Sequence, residues 1–240
     1  MPTTQSDVDA DGDADMVFAD DALYLSERDV LALSDLHVGL EEAARDGGWA
    51  MPLGESDRLR DKLGRLLDRF EPSTVVFDGD VHHSFAKLGE APDTIDDLRW
   101  DVEAADAEPI WIAGNHDTML DAVVETHDWW ECDGAVFTHG DDVPVDLPDA
   151  ELYVVGHDHP TLEIEMEKQR CYLLGTYRGG DLVMLPAFNG LCRGTVVNGM
   201  HDRDFMSPFV EDFASFRVVI ETDDGQVLDF PRVGEFREML

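Results

Sequence analysis

From Met16 onward the chain is built of short apolar runs that stop abruptly at glycine or at polar residues. Val30 to Leu33 stop at Ser34-Asp35, Thr74 to Phe77 at Asp78-Gly79-Asp80, and Ile110 to Ala113 at Gly114-Asn115-His116-Asp117. Ala135 to Thr138 stop at His139-Gly140, and Leu152 to Val155 at Gly156-His157-Asp158-His159. Runs of this length, rich in β-formers and bounded by turn residues, predict strands. Two stretches between them have helical spacing instead: Glu55 to Phe70, with Leu59, Leu63, Leu66, Leu67 and Phe70 on one face, and Asp93 to Ala105, with Ile95, Leu98 and Val102. Strands alternating with helices predict an α/β fold with a mainly parallel, covered sheet. Beyond His159, Leu162 to Tyr177, Leu182 to Phe188 and Phe216 to Glu221 predict antiparallel strands in a second sheet packed on the first. In open α/β sheets ligands gather outside the carboxyl ends of strands, where every polar cluster named above lies.

Composition adds a constraint of another kind. The 240 residues carry 54 acidic and 17 basic groups, a formal net charge of -37, with 43% apolar residues. That apolar content is enough for a core, so the acidity belongs on a folded surface. Of the charged groups 36 are Asp and 18 Glu, against 14 Arg and 3 Lys (Lys62, Lys87 and Lys168). Self-repulsion on this scale destabilises a compact state in dilute buffer and is screened in concentrated salt. The composition therefore reads as halophilic; an acidic surface built for a basic partner or many cations is the competing reading. Residues 1–15 carry five Asp and a single Val, which predicts a disordered acidic tail ahead of a single domain over 16–240. Three cysteines (Cys132, Cys171 and Cys192) without C-x-x-C spacing, no signal-like N-terminus and no apolar run approaching 18 residues predict a cytoplasmic protein without a membrane partner.

The polar clusters carry the chemistry. In a chain with 36 Asp and 9 His, an Asp-x-His arises about once by chance, so Asp35-Leu36-His37 means little alone. Gly-Asn-His-Asp and Gly-His-x-His are far rarer, and all of them fall in order at successive strand ends. Imidazoles and carboxylates without thiolate suit Mn, Fe, Zn or Ni better than the all-oxygen sites of Ca or Mg. A carboxylate between two such groups can bridge a metal pair about 3.5 to 4 Å apart, the spacing that clamps an in-line displacement at phosphorus.

Asp35-x-His37, Gly79-Asp80, Gly114-Asn115-His116-Asp117, His139-Gly140 and Gly156-His157-x-His159 together resemble the five ordered motifs of the calcineurin-like metallophosphoesterases. The resemblance implies a β-sandwich of two mixed sheets flanked by helices (αββα). It implies one metal on Asp35, His37 and His159, a second on Asn115, His139 and His157, and Asp80 bridging them. Manganese is the favoured ion, with Fe, Zn or Ni as alternatives. The implied reaction is phosphoester hydrolysis by a metal-bridging hydroxide, with His116 as general acid at the leaving oxygen and Asp117 orienting it. Asp35-Leu-His-Val-Gly-Leu-Glu-Glu, Pro52, Gly-Asp-Val-His-His-Ser-Phe at 79–85 and Leu-Pro-Ala-Phe-Asn-Gly at 185–190 further resemble the small archaeal phosphoesterases related to the repair nuclease SbcD. That implies a phosphodiesterase or nuclease acting on a phosphoester substrate such as nucleic acid. A phosphomonoesterase, a cyclic-nucleotide phosphodiesterase and a catalytically silent metal-binding scaffold are the alternatives; the intact His116 argues against the last. Homodimerisation is common in the superfamily.

Other residues have plainer expectations. His82, His127 and His201 read as solvated or core-capping, Asp78 as a solvated strand-end carboxylate, and Glu41 and Glu42 as a solvated helix face. Trp129 and Trp130 read as buried rather than as a stacking platform. His83 divides evenly between a supporting role at the site and the surface. Arg45, Arg178 and Arg193 are candidate phosphate contacts.

Overall fold

The computed structural model describes residues 3–4, 15–49, 54–84, 89, 91–222 and 224–237. The first half contains β1 (Thr3–Thr4), β2 (Met16–Ala19), β3 (Ala22–Leu25), β4 (Val30–Leu33), α1 (Leu40–Asp46), α2 (Glu55–Phe70), β5 (Thr74–Asp78), α3 (Ala91–Ala104) and β6 (Glu108–Ile112). The second contains β7 (Trp130–Cys132), β8 (Ala135–Phe137), β9 (Leu152–Val155), β10 (Pro160–Ile164), β11 (Glu167–Arg170), β12 (Tyr172–Tyr177), β13 (Gly180–Met184), β14 (Thr195–Val196), β15 (Arg217–Glu221), β16 (Val227–Asp229) and α4 (Val233–Phe236).

These strands form a mixed five-stranded sheet, β2-β3-β4-β5-β6, a mixed eight-stranded sheet, β1-β16-β15-β12-β13-β9-β8-β7, and a small three-stranded sheet, β11-β10-β14. The fold is the expected α/β class with two mixed sheets face to face, but the strands are shared out differently. β4, β5 and β6 are parallel neighbours in the first sheet, whereas β8 and β9 are parallel neighbours in the second, next to β13. The polar clusters therefore come from two sheets rather than one.

Period-two alternation explains how every strand at the centre is buried on both faces. In β4, Val30 and Ala32 face the other sheet while Leu31 and Leu33 face the helices; in β9, Leu152 and Val154 face the first sheet while Tyr153 and Val155 face outward. Between the sheets lies a core that includes Phe18, Leu23, Phe137, Tyr172 and Val219. The helical spacing places Leu59, Leu63, Leu66 and Leu67 of α2 and Ile95, Leu98 and Val102 of α3 on the outer face of the first sheet. On the second sheet the implied helical layer is replaced among the described residues by loops, two short 3-10 turns and the four-residue α4, whose segment supplies Phe205, Phe209, Phe213 and Phe216 as cover. Aromatic bulk does there what a helix does on the other side.

Two features lay beyond periodicity. The β2–β3 hairpin turns at Asp20 and Asp21, both in the left-handed region, which aspartate tolerates better than most residues. Thr3 and Thr4 pair with Asp229 and Leu228, while the rest of the expected acidic tail before Asp15 lies outside the described residues. No helix among the described residues is long and apolar enough to cross a membrane.

Candidate metal centre

Five chain segments leave the two sheets at one edge and are stitched together there by backbone hydrogen bonds. The Asp35 N–H donates to the Gly79 carbonyl (3.0 Å), the His37 N–H to the Asp80 carbonyl (2.8 Å) and the Gly156 N–H to the His139 carbonyl (2.9 Å). The sheets are joined through Phe188, whose N–H donates to the Ser34 carbonyl (2.8 Å). Asp35, His37, Asp80, His157 and His159 all have positive φ, between 43° and 74°. Such conformations cost non-glycine residues energy and persist where the surroundings impose them, as at functional sites. Two glycines are required by close approach: a Cβ on Gly114 would lie 2.4 Å from the Asp80 nitrogen, and one on Gly156 would lie 1.8 Å from Ser34 Oγ.

These turns bring the predicted donors into two groups that share one carboxylate. Donor atoms of Asp35, His37, Asp80 and His159 lie within 4.8 Å of one another, as do those of Asp80, His139 and His157. Asp80 turns Oδ2 toward His37 Nε2 (3.7 Å) and Oδ1 toward His139 Nε2 (3.4 Å). His159 Nε2 is 2.8 Å from Asp35 Oδ1 and 3.4 Å from His37 Nε2, and His157 Nδ1 is 3.3 Å from His139 Nε2. Asn115 lines the same cleft as Asp80, His116 and His157.

The donor set fits divalent cations. Ring nitrogens face one another at contact distance, and the buried Asp35 Oδ1 faces His159 Nε2. Supporting contacts fix the rings, as ligand imidazoles usually require. His139 Nδ1 is 3.2 Å from the Asp78 carbonyl, which leaves Nε2 for the cleft, and His37 Nδ1 meets His83 Nδ1 at 3.3 Å. Asp35 Oδ2 accepts from the His157 N–H (3.1 Å) and lies 2.8 Å from Ser34 Oγ. His83 thus stands behind His37, one of the two positions expected for it.

Electrostatics show how strongly the cluster is coupled. Burial opposes the charged forms of Asp35 and Asp80, yet the surrounding histidines outweigh it and hold both carboxylates below their usual range. Burial also opposes a charged His139, but the hydrogen bond to Asp80 and the nearby carboxylates push its pKa upward. Burial lowers His37 to about 4. Burial likewise opposes a charged His159, but Asp35 raises its pKa, so cations entering the cluster would displace protons from both His139 and His159.

Several residues depart from expectation. His116 Nδ1 lies 2.7 Å from the His83 carbonyl, so Nδ1 carries a proton, and it is this carbonyl that orients the ring. Asp117 instead accepts from the N–H groups of Gly114 (2.9 Å), Val81 (3.1 Å) and His82 (2.7 Å), tying the Gly-Asn-His-Asp turn to the Gly79-Asp80 turn. Burial lifts its carboxyl to about 6. Asp78 is fully buried rather than solvated. Glu41 is not simply solvated either: its carboxylate accepts from the N–H groups of Gly54 (3.0 Å) and Glu55 (3.1 Å) at the start of α2. Asp158, between the two histidines of its motif, accepts from the Met206 and Ser207 N–H groups (3.0 and 2.9 Å).

Of the arginines, Arg193 lines the cleft and Arg45 pairs with Glu41, while Arg178 lies in the β12–β13 turn, over Tyr177, at the end of the sheet away from the site. His82 is buried, the His127 backbone pairs with the end of β6, and His201 caps a 3-10 turn. Trp129 and Trp130 pack against the cores of the second sheet. An exposed tryptophan does line the cleft: it is Trp49, 69% exposed, which no periodicity singled out.

Asp78 offers a test of the site's internal electrostatics. Both carboxyl oxygens are buried without hydrogen bonds, and burial raises the pKa well above the usual range. A carboxyl raised in this way must take up a proton on folding, so its favourable share is complete at acid pH and is lost as the pH rises. Asp78→Asn should stabilise the protein relative to wild type by an increment that grows as the pH rises above the ordinary carboxylate range, read from thermal unfolding at constant salt. A pH-independent increment would show that Asp78 is ionised in the fold.

Residues 29–134 match the profile of the calcineurin-like phosphoesterase family. A search of curated proteins finds no match. Among solved structures, the Pseudomonas putida nuclease MPE is similar over 85% of this chain and 90% of that one, with 20% identity and a TM-score of 0.60. A protein of unknown function from Aquifex aeolicus is 18% identical over 54% of this chain and 78% of that one, with a TM-score of 0.35. The matched segment carries Asp35, His37, Asp80, Asn115 and His116, and the fold carries His139, His157 and His159 to the same edge. Residues 29–134 thus carry the likeness to the calcineurin-like phosphoesterases, a likeness that indicates a metal-dependent phosphoester hydrolase.

Proposed function

We propose that this metallophosphoesterase is a phosphodiesterase acting on nucleic acid, with Asp35, His37 and His159 holding one cation, Asn115, His139 and His157 the other, and Asp80 shared. The observation that supports a diester is the cleft itself. It has a volume of about 580 Å³, its polar residues include His37, Asp80, Asn115, His116, His157 and His159, and its sides are formed by Leu40, Ala44, Trp49, Leu191 and Met206. A small monoester calls for a cationic pocket, whereas an apolar side ending in an exposed indole suits a substrate that continues past the phosphorus. The Pseudomonas putida protein of similar fold is a nuclease, which agrees with this reading. Residues 16–240 then act as a single domain.

When bound, two divalent cations supply an activated water and neutralise charge developing on the phosphoryl oxygens. The chain's own groups do the rest. Asp80 gives one oxygen to each donor group, which fixes their separation. His116 keeps its Nδ1 proton on the His83 carbonyl, so a second proton on Nε2 is the one that can pass to the leaving oxygen. Arg193 stands on the cleft wall where a phosphate oxygen can pair with it, and Trp49 can stack a base beside the scissile bond.

The decisive experiment measures metal content and hydrolysis in concentrated KCl. Manganese is the first ion to test, with iron, zinc and nickel suited to the same donors. Bis-p-nitrophenyl phosphate and DNA should be cleaved faster than the monoester; preference for the monoester, or for a cyclic nucleotide, would replace the nuclease reading. Asp80→Ala should abolish both activity and paired metal binding, while His116→Ala should keep the ions and lose about 10²- to 10⁴-fold in kcat.

Trp49→Ala should raise KM for thymidine 5′-p-nitrophenyl phosphate by about tenfold and leave methyl p-nitrophenyl phosphate nearly unchanged. Equal losses on the two would remove base stacking from the account. The acidic surface carries a separate proposal, that the enzyme works in a salt-rich cytoplasm. Raising KCl from about 0.1 M to about 1 M shortens the Debye length from about 10 Å to about 3 Å. The thermal midpoint should rise over that range, and a falling or flat midpoint would contradict halophily.

A further inference from the structure

The segment from Asn189 to Thr195, which brings Leu191 and Arg193 to the cleft wall, is fastened to the donor cluster at both ends. At one end Asn189 is buried and its Nδ2 donates to the Leu36 carbonyl (2.7 Å), next to His37. Its Oδ1 accepts from the Leu191 N–H (2.8 Å), and its carbonyl accepts from the Cys192 N–H (3.2 Å), which rolls the chain into a tight turn. At the other end the Thr195 N–H donates to the carbonyl of His159 itself (2.8 Å). Gly194, at φ 61°, fits closely there, since a Cβ would lie 2.8 Å from that same carbonyl oxygen.

Between these two anchors the turn presents Cys192. Its Sγ lies within 4.8 Å of the donor nitrogens of both His37 and His159, which are 3.4 Å apart. A cation about 2.1 Å from imidazole nitrogen and about 2.3 Å from thiolate sulfur holds the two about 3.6 Å apart at a tetrahedral angle. Closure by about 1 Å at most, within reach of a side-chain rotation, brings Sγ to that distance. The buried Asp35 Oδ1 pairs with the same His159 Nε2 at 2.8 Å, so His159 stands between a carboxylate and the thiol. Cys171 is sealed in the outer core of the second sheet and Cys132 sits on its edge strand β7, so neither has such surroundings.

We propose that Cys192 is a thiolate donor to the cation held by His37 and His159, which makes this position softer than the one at His139 and His157. The inference rests on the metal-centre reading of these histidines. On binding, the Cys192 S–H loses its proton to solvent and a sulfur–metal bond forms, with no change in oxidation state. Thiolate favours zinc, cobalt and iron over manganese, so the two positions should sort a mixture of cations.

Cobalt(II) titration of the metal-free full-length protein provides the test. Wild type should develop a near-ultraviolet sulfur-to-cobalt charge-transfer band together with visible d–d bands. Cys192→Ser should keep the d–d bands, lose the charge-transfer band and bind zinc at least about tenfold more weakly, with manganese affinity unchanged. A second measurement leaves Cys192 intact: in a Cys132→Ser background, bound zinc should slow thiol modification by at least about tenfold. Two bound cobalt ions with no sulfur band and no protection would overturn the proposal and leave the metal centre standing. Failure to bind any cation would overturn both.

Discussion

Every functional atom of this protein depends on one constraint: five turns from two different sheets must deliver their donors to a single place a few ångströms across. The backbone meets it by continuing to pair beyond the ends of the strands. Asp35 pairs with Gly79, His37 with Asp80, and Phe188 with Ser34, so the last hydrogen bonds of the sheets are also the first of the site. The left-handed conformations at Asp35, His37, Asp80, His157 and His159 aim side chains at a common point that an extended strand would alternate away from. Their conformational cost is carried by the cores on either side, where the central strands are buried on both faces.

A second layer of polar groups keeps this geometry in place. Asp117 and Asp158 serve backbone N–H groups of neighbouring turns rather than the reacting groups. Ser34 sits between the Asp35 carboxylate and the Asp78 carbonyl, and that carbonyl in turn faces His139. The His83 carbonyl does the same for His116. Carbonyls accept without ambiguity, so they fix which ring nitrogen remains free more firmly than a second titratable group would.

How much of this was legible in the amino-acid sequence divides along the line between local and long-range order. The strands ending at Leu33 and Val155 and the helix Glu55–Phe70 follow from periodicity, because burial on a face leaves a repeating trace. The ligand candidates were legible because five clusters, two of them rare, occur in order, and the structure brings the His and Asp candidates into two groups that share Asp80. Which of the two sheets β8 and β9 join was not, since parallel pairing of β9 with β8 and β13 leaves the same apolar runs as pairing with β4 would. The roles of Asp117, Glu41 and Asp78 were misread for one reason: each is decided by partners or burial that depend on distant chain, and an acidic residue in a strongly acidic sequence gives no local sign of it. Trp49 and Cys192 were missed in the same way, for both stand in irregular turns.

The sharing of donors between sheets has a mechanical meaning. Asp35, His37, Asp80 and Asn115 ride on the first sheet, and His139, His157 and His159 on the second. Any cation held by both sets is a rivet through the sandwich, placed at an edge where the two layers also exchange a backbone bond. Occupancy of the centre and docking of the layers are then one equilibrium: the filled centre resists prying the sheets apart, and loosened sheets release their ions.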